Sequence, residues 1–117
     1  MNAVIILFME NAKQRVLIIG ANGQLGSDLM KVFSGSEVVG LTHGDIEITD
    51  KRQIEAVVAK YQPQVIINTA AFHNTVKCEA DPDKSFLVNA TAVKYLAQSC
   101  KKSDITLVHV GSDYVFD

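Results

Sequence analysis

The sequence of 117 residues has few cysteines and no concentration of charge of one sign. Its two cysteines, Cys78 and Cys100, have no CxxC spacing and no neighbouring histidine pair, so neither a disulfide scaffold nor a zinc site is predicted. Reduced thiols in the cytoplasm are expected instead. The 11 Lys and Arg are balanced by 13 Asp and Glu, and no basic run extends beyond Lys101-Lys102. Nucleic acid is therefore not an expected partner.

Long hydrophobic runs are also missing. The seven apolar residues from Ala3 to Met9 are too few to span a bilayer, and they lack both preceding basic residues and a small-residue cleavage site. We therefore expect neither a signal peptide nor a membrane association. Residues 1–14 are interpreted either as an extra strand, which their β-branched and aromatic side chains favour, or as an extension ahead of a start at Met9.

Apolar side chains make up 48% of the chain, which is enough for one hydrophobic core. No repeat, low-complexity tract or linker divides the sequence, so residues 15–117 are predicted to form one domain, with the substrate domain absent. Short apolar runs alternate with amphipathic stretches along this domain. Strands are predicted within 16–19, 37–41, 65–67 and 105–110, and helices over about 24–33, 50–61 and 82–102.

This alternation predicts an α/β fold, a doubly wound parallel sheet of the Rossmann type with four core strands in the order 3-2-1-4. The strands are apolar almost throughout, as expected of a sheet covered on both faces. Four strands leave the fourth as an exposed edge. Further sequence, a second copy of the chain in a homodimer, or a strand at Ala3 to Phe8 would have to cover it.

Side-chain periodicity and capping signals predict the details of the helices. Asp50 is expected to cap the second helix in a capping box with Gln53, and Pro63 prevents its continuation. The faces expected to be buried are Leu25, Leu29, Val32 and Phe33 in the first helix, and Phe86, Leu87, Ala90, Val93, Leu96 and Ala97 in the third.

A glycine-rich segment follows the first predicted strand and opens the first helix. Gly20 permits a tight turn, Gly23 lets the backbone approach a pyrophosphate, and Gly26 lets helix and sheet pack closely. The amides at the helix N-terminus would then hold the phosphates. Nucleotide binding is predicted, and the spacing GxxGxxG is typical of short-chain dehydrogenases. The candidate cofactor-binding residues are Gly20, Asn22, Gly23, Gln24, Leu25 and Gly26.

The end of the second predicted strand is expected to face the adenosine half of the cofactor. Leu41-Thr42-His43 supplies no acid for the ribose hydroxyls, which favours NADP or the use of both NADP and NAD. Within this segment, Thr42 and His43 are candidate contacts, and His43 is either a neighbour of the phosphate or a solvated loop residue. Glu47 is either an acceptor for the adenine amino group or a plain surface acid.

Two further segments follow the third and fourth predicted strands. In Asn68-Thr69-Ala70-Ala71, small side chains either bring the backbone close to the cofactor or serve tight packing, and their position at the switch crevice favours binding. Ser112 follows the fourth strand, where its hydroxyl could hydrogen-bond a substrate carbonyl during hydride addition. His109 lies within that strand and is interpreted as a satisfied sheet residue rather than a base.

The segments VLIIGANGQLG, EITD, INTAAF, KCEADP, FLVNATAVKYLA and LVHVGSDYVFD together resemble the amino-terminal half of the dTDP-4-dehydrorhamnose reductase family. SDYVFD is the most specific of them. The resemblance implies hydride transfer from NADPH or NADH to the 4-keto group of a dTDP-sugar, so that the parent enzyme has a nucleotide-sugar substrate. It also implies roles for Gly20, Gly23 and Gly26 at the pyrophosphate, Glu47 and Ile48 at the adenine, Ala70 and Ala71 beside the nicotinamide, Asn89 as the helix asparagine, and Ser112 as the catalytic hydroxyl.

The sequence departs from this family at several positions. Val76 and Phe72-His73 differ from the residues usual there. The family's Tyr-x-x-x-Lys pair is missing, because Tyr61 and Tyr95 are followed four residues later by Val and Ser and Tyr114 has no fourth follower. That Lys lowers the pKa of the Tyr proton donor, so this chain alone is expected to be inactive.

Two alternatives stay open at this stage. A non-catalytic NAD(P)-binding regulatory module is one, since the regulatory subunit of methionine adenosyltransferase resembles this chain in fold and in SDYVFD. A truncated product with no cellular task is the other.

Overall fold

The computed structural model describes residues 14–70 and 82–110. Seven helices and strands alternate within these ranges, and their bounds agree with the predicted ones to within one or two residues. They are β1 (Arg15–Ile19), α1 (Gln24–Val32), β2 (Glu37–Leu41), α2 (Lys51–Tyr61), β3 (Val65–Asn68), α3 (Pro82–Lys102) and β4 (Thr106–His109).

The four strands form one parallel sheet in the order β2-β1-β3-β4. The predicted α/β class and parallel sheet are confirmed, but the predicted order 3-2-1-4 is wrong. Ile19 at the end of β1 pairs with Leu41 of β2 on one side and Asn68 of β3 on the other. All four residues of β3 are buried, whereas β2 and β4 are partly exposed. The most apolar strands thus occupy the centre of the sheet, where both faces and both edges are covered.

Helices cover both faces of the sheet, as a doubly wound fold requires. Alternate residues of β1 point to opposite faces, so Leu17 and Ile19 belong to one core cluster and Val16 and Ile18 to the other. The first cluster includes Ile54 of α2 with residues of α3, and the second includes residues of α1. The sheet is therefore enclosed on both sides around its two central strands.

The predicted buried faces need correction in two helices. Leu25 is 42% exposed, because the buried side of α1 is formed by Gly26 and Leu29. Ala90 and Ala97 of α3 are also exposed. The buried side of α3 instead follows the helical spacing of Ala92, Leu96, Ser99 and Cys100. Phe86 and Leu87 were also predicted on this face, and their side chains lie outside the described residues.

Asp50 caps α2 as predicted, with its Oδ1 accepting a hydrogen bond from the Arg52 amide at 3.0 Å. The predicted capping box is wrong in one respect. The Gln53 side chain accepts a hydrogen bond from the Glu47 amide at 2.9 Å rather than from that of Asp50. The Asp50 amide already donates to the Glu47 carbonyl at 3.0 Å, so a second acceptor is not needed there. The start of α2 is thereby tied to the loop before it.

At the far side of the sheet, β4 forms an edge of the part that the structure describes. The predicted cover from Ala3 to Phe8 lies outside the described residues, and a covering second copy stays a prediction. Within residues 14–70 and 82–110, no helix is both long and apolar enough to cross a membrane.

Candidate functional site

The turn after β1 is built on Gly20. Its φ of +84° lies in the region that favours glycine, which confirms the predicted tight turn. The amides of Gly20 and Ala21 both donate to the carbonyl of Leu41, at 2.8 and 3.1 Å. A Cβ at Gly20 would lie 2.5 Å from Oγ1 of Thr69. The turn is therefore fixed between the carboxyl ends of β2 and β3.

Gly26 and Gly23 differ in what surrounds them. A Cβ on Gly26 would lie 1.9 Å from the carbonyl oxygen of Gly20, which confirms that α1 packs closely on the turn because this residue has no side chain. A Cβ on Gly23 would meet nothing nearer than that same oxygen, at 3.4 Å. The protein's own packing thus requires glycine at position 26 but leaves room for a Cβ at position 23, in ordinary contact with that oxygen.

The N-terminus of α1 is suited to an anion. Gly23 is its N-cap and offers no side-chain cap, and the first turn contains no acidic residue. The first amides of a helix lack partners within the helix and carry its partial positive charge. Asn22, Gln24 and Leu25 lie exposed around this N-terminus. An anionic group placed here would be bound by backbone amides.

Thr69 connects the turn to β3. Its hydroxyl donates to the carbonyl of Ile19 at 2.8 Å or to that of Gly20 at 3.2 Å, and its amide donates to the Ile19 carbonyl at 3.0 Å. From the sequence, Thr69 is only one of four small residues after the third strand. The feature that could have indicated its role is a hydroxyl directly after a buried strand. That the hydroxyl lies opposite the glycine turn follows only from the pairing of β1 with β3.

Asn68 connects β3 to the next turn and to β4. This buried side chain accepts a hydrogen bond from the Ala70 amide at 3.0 Å, and its Nδ2 lies 3.1 Å from Nδ1 of His109. Partial burial lowers the pKa of His109, which favours the neutral ring. The interpretation of His109 as a satisfied sheet residue is confirmed, since its ring nitrogen is bonded within the sheet.

The loop after β2 contains an acid, Asp45, that is bonded back to the first residue of the loop. Asp45 Oδ2 accepts hydrogen bonds from the amide and the hydroxyl of Thr42, at 2.7 and 3.0 Å. These bonds hold the pKa of Asp45 below its ordinary value, since they stabilise its charged form. The segment Leu41-Thr42-His43 itself contains no acid, as stated, and His43 is exposed, so its predicted contact with a phosphate stays a prediction.

Glu47 has partners within its own turn. Its carboxylate accepts hydrogen bonds from the hydroxyl and the amide of Thr49, at 2.7 and 3.3 Å. Ile48 is half-buried and packs against the core next to α2. These contacts give Glu47 a structural role in the loop, and the predicted adenine contacts of both residues stay predictions.

The remaining predicted site residues fall into two groups. Ala70 is half-buried at the end of β3, where it packs against the core, and Asn89 is half-buried in α3. Ala71 and Ser112 lie outside the described residues. The structure therefore brings together the turn at Gly20, the end of β2 and the end of β3 at one edge of the sheet.

A central parallel sheet with helices on both faces, and a glycine turn between the ends of three neighbouring strands, define a Rossmann-like α/β protein. The chain belongs to the family described as RmlD substrate binding domain, which matches residues 14–117. The resemblance derived from the motifs is confirmed.

Named relatives agree with this assignment. The chain is 40% identical over 105 residues to dTDP-4-keto-6-deoxy-D-glucose reductase of Streptomyces niveus, covering 88% of this chain and 36% of that protein. It is 36% identical over 106 residues to dTDP-4-dehydrorhamnose reductase of Aggregatibacter actinomycetemcomitans, with coverages of 88% and 36%. The chain thus spans little more than a third of the length of these relatives. They give no support to the regulatory-module alternative.

Solved structures show the same similarity. The dTDP-4-dehydrorhamnose reductase of Bacillus anthracis, in complex with NADP, aligns with a TM-score of 0.78 and 31% identity, covering 89% of this chain and 38% of that one. The corresponding protein of Clostridium acetobutylicum aligns with a TM-score of 0.77 and 35% identity, covering 88% and 38%. The chain thus spans little more than a third of the length of each of these structures.

Proposed function

We propose that this chain binds a nicotinamide adenine dinucleotide, NAD or NADP, across the turn at Gly20 and forms the cofactor-binding part of a reductase for a dTDP-linked 4-keto sugar. The observation that carries the proposal is the room at Gly23, where a Cβ would meet only the Gly20 carbonyl oxygen at 3.4 Å, beside the first-turn amides of α1. A diphosphate needs such a close approach to backbone donors. The names of the relatives and the NADP complex of a structural neighbour support the choice of ligand and reaction.

In this proposal each part of the edge has its own task. The first-turn amides of α1 bind the diphosphate, and the loop after β2 binds the adenosine end. Thr69 and Asn68 keep the end of β3 in place beside the turn. We also propose, from the family resemblance, that Asn89 supports the site and that Ser112 hydrogen-bonds the substrate carbonyl. The reduced nicotinamide supplies the hydride.

The matched pair Gly23→Ala and Gly35→Ala tests dinucleotide binding. Both substitutions add one methyl group, and at Gly35 a Cβ would meet nothing within 4 Å. We expect Gly23→Ala to unfold at nearly the same temperature as the wild type, because its methyl group has room in the free protein. We expect its affinity for NADH and NADPH to fall by about tenfold or more in calorimetric titrations, because the methyl group occupies space that the diphosphate needs.

Gly35→Ala is expected to bind like the wild type. If the wild-type chain binds neither dinucleotide, or if the two variants bind equally well, the proposed site is wrong. Raised thermal stability on adding either dinucleotide would be an independent sign of binding, since a ligand of the folded state alone stabilises that state.

The catalytic part of the proposal predicts that these 117 residues do not reduce the sugar, since they contain no Tyr with a Lys four residues later. The purified chain should not oxidise NADPH or NADH in the presence of a dTDP-4-keto-6-deoxy sugar. Turnover that grows with protein concentration would show that another residue donates the proton.

A further inference from the structure

The side chain of Asn68 connects the ends of two neighbouring strands. Its Oδ1 accepts a hydrogen bond from the Ala70 amide at 3.0 Å, and its Nδ2 lies 3.1 Å from Nδ1 of His109, the last residue of β4. The backbone makes a second connection, since the Val110 amide donates to the Asn68 carbonyl at 3.0 Å. Asn68 itself is buried, whereas His109 is exposed. An exposed imidazole thus holds a buried amide.

His109 determines which way the side-chain amide of Asn68 points. The backbone amide of Ala70 can only donate, so Oδ1 of Asn68 faces it and Nδ2 faces the imidazole. A buried N–H group needs an acceptor, and within the described residues Nδ1 of His109 is the acceptor that this Nδ2 has. Removal of the ring would leave Nδ2 without a partner and would let the side chain rotate away from Ala70.

This connection lies on the opposite side of the glycine turn from β2. The turn follows β1, with β2 on one side of that strand and β3, then β4, on the other. A dinucleotide whose diphosphate binds at the turn extends along the carboxyl ends of the strands, with one half on each side. With its adenosine half at β2, its nicotinamide half lies over the ends of β3 and β4. Asn68 and His109 are the last residues of these two strands.

Thr69 separates the connection from the site proposed for the diphosphate. Its amide and its hydroxyl both donate to the carbonyl of Ile19, at 3.0 and 2.8 Å, so they hold the turn beside β3 without a contribution from His109. On the other side, the turn is bonded to the carbonyl of Leu41. The bonds that form the turn would therefore survive the loss of the imidazole, while the chain beyond Thr69 would lose a fixed position.

We propose that His109 is a positioning residue for the nicotinamide half of the bound dinucleotide: by accepting from Asn68, it fixes the chain at Ala70, beside which that half binds. This inference rests on the proposed function. His109 acts through Asn68 and needs no contact with the ligand, so another side chain with an acceptor at the same place can replace it. Its loss weakens the binding of ligands that contain the nicotinamide riboside, and not of ligands that end at the diphosphate.

Calorimetric titrations of the full chain with NADH and with ADP test this role, because ADP contains the adenosine and the diphosphate but not the nicotinamide riboside. We expect His109→Ala to bind NADH about tenfold more weakly than the wild type does, and to bind ADP with an affinity within about twofold of the wild type. Thr106→Ala is the matched control, since Thr106 is an exposed residue at the opposite end of the same strand. It should bind both ligands like the wild type.

Two further variants test whether His109 acts through Asn68. His109→Gln retains an oxygen that can accept from Nδ2, and it should recover most of the affinity for NADH. Asn68→Ala should weaken NADH binding as His109→Ala does, and the double variant should be little weaker than either, because both changes remove the same hydrogen bond. If Asn68→Ala does not fold, the two His109 variants decide.

Three results would overturn the positioning role while leaving dinucleotide binding in place. They are an unchanged affinity of His109→Ala for NADH, an equal loss of affinity for NADH and ADP, and a loss for NADH that His109→Gln does not restore. Failure of the wild type to bind NADH, NADPH or ADP would instead overturn the proposed function, and the positioning role with it.

Discussion

Asn68 Nδ2 lies 3.1 Å from His109 Nδ1, joining the last residue of β3 to the last residue of β4. The side-chain oxygen of Asn68, Oδ1, accepts from the Ala70 amide at 3.0 Å, so the side-chain nitrogen Nδ2 is the atom that faces His109. The imidazole must then accept at Nδ1 and carry its proton on Nε2. Protonation of Nδ1 would set two donors against each other, and rotation of the Asn68 amide would break the bond to Ala70.

The first prediction concerns pH. The pKa of His109 in the folded chain lies below its usual value of 6.5. Below pH 6.5 the histidine of the unfolded chain takes up a proton more readily than that of the folded chain, which favours unfolding. The contribution of neutral His109 to the stability of the fold is therefore fully present above about pH 6.5 and is lost as the pH falls toward the folded-state pKa. Urea unfolding measured at about pH 7.5 and at about pH 5.5 gives the free energy of unfolding at each pH. Between these two values, we expect this free energy to fall less in His109→Gln than in the wild type. An equal fall in the two proteins would contradict the prediction.

The second prediction concerns close packing at the turn. Gly26→Ala places a methyl group 1.9 Å from the Gly20 carbonyl oxygen, and that atom belongs to the backbone and cannot rotate away. We expect a loss of about 3 kcal/mol in the free energy of unfolding, because helix and turn must separate. Urea denaturation measures it. Gly35→Ala is the control, and equal stabilities of the two variants would show that α1 can shift freely.

The third prediction concerns the start of α2. Asp50→Ala removes the acceptor of the Arg52 amide and should lower the thermal unfolding midpoint, whereas Asp50→Asn should keep most of the wild-type stability at neutral pH. The hydrogen bond from the Arg52 amide is the main cause that lowers the pKa of Asp50. The contribution of the charged carboxylate to the stability of the fold is therefore lost as the pH falls below the ordinary value of 3.8. Equal midpoints for Ala and Asn would mean that the cap does not stabilise the helix.

The fourth prediction concerns the thiol in the core. Cys100 is 2% exposed, and burial raises its pKa to about 11. The thiolate is the reactive form, so Cys100 in the native chain should react very slowly with thiol reagents near neutral pH. The variant Cys78→Ser leaves it as the sole thiol. Labelling of that variant should become rapid only in urea, and rapid labelling of the folded chain would show that the core opens readily.

Local patterns were sufficient for the elements and for parts of the site. The φ of +84° at Gly20 and the cap at Asp50 follow from residue type and immediate neighbours, so the turn and the start of α2 could be predicted. The environments of Thr69 and Asn68 could not, because each forms bonds with residues about 40 to 50 positions away. Gly40 was missed for the same reason: a Cβ there would lie 2.7 Å from Ala21 Cβ and 2.8 Å from Met30 Sδ.

The amino-acid sequence by itself determined where the strands and helices lie, that the sheet is parallel, and where the chain turns at Gly20, because periodicity and backbone preference act over a few neighbouring residues. Only the tertiary structure decided the order of the strands, the exposure of Leu25 and the return of Asp45 onto Thr42. These features depend on contacts between residues that are far apart in the sequence. Such contacts exist only when the whole sheet has formed, so residue type and immediate neighbours do not determine them.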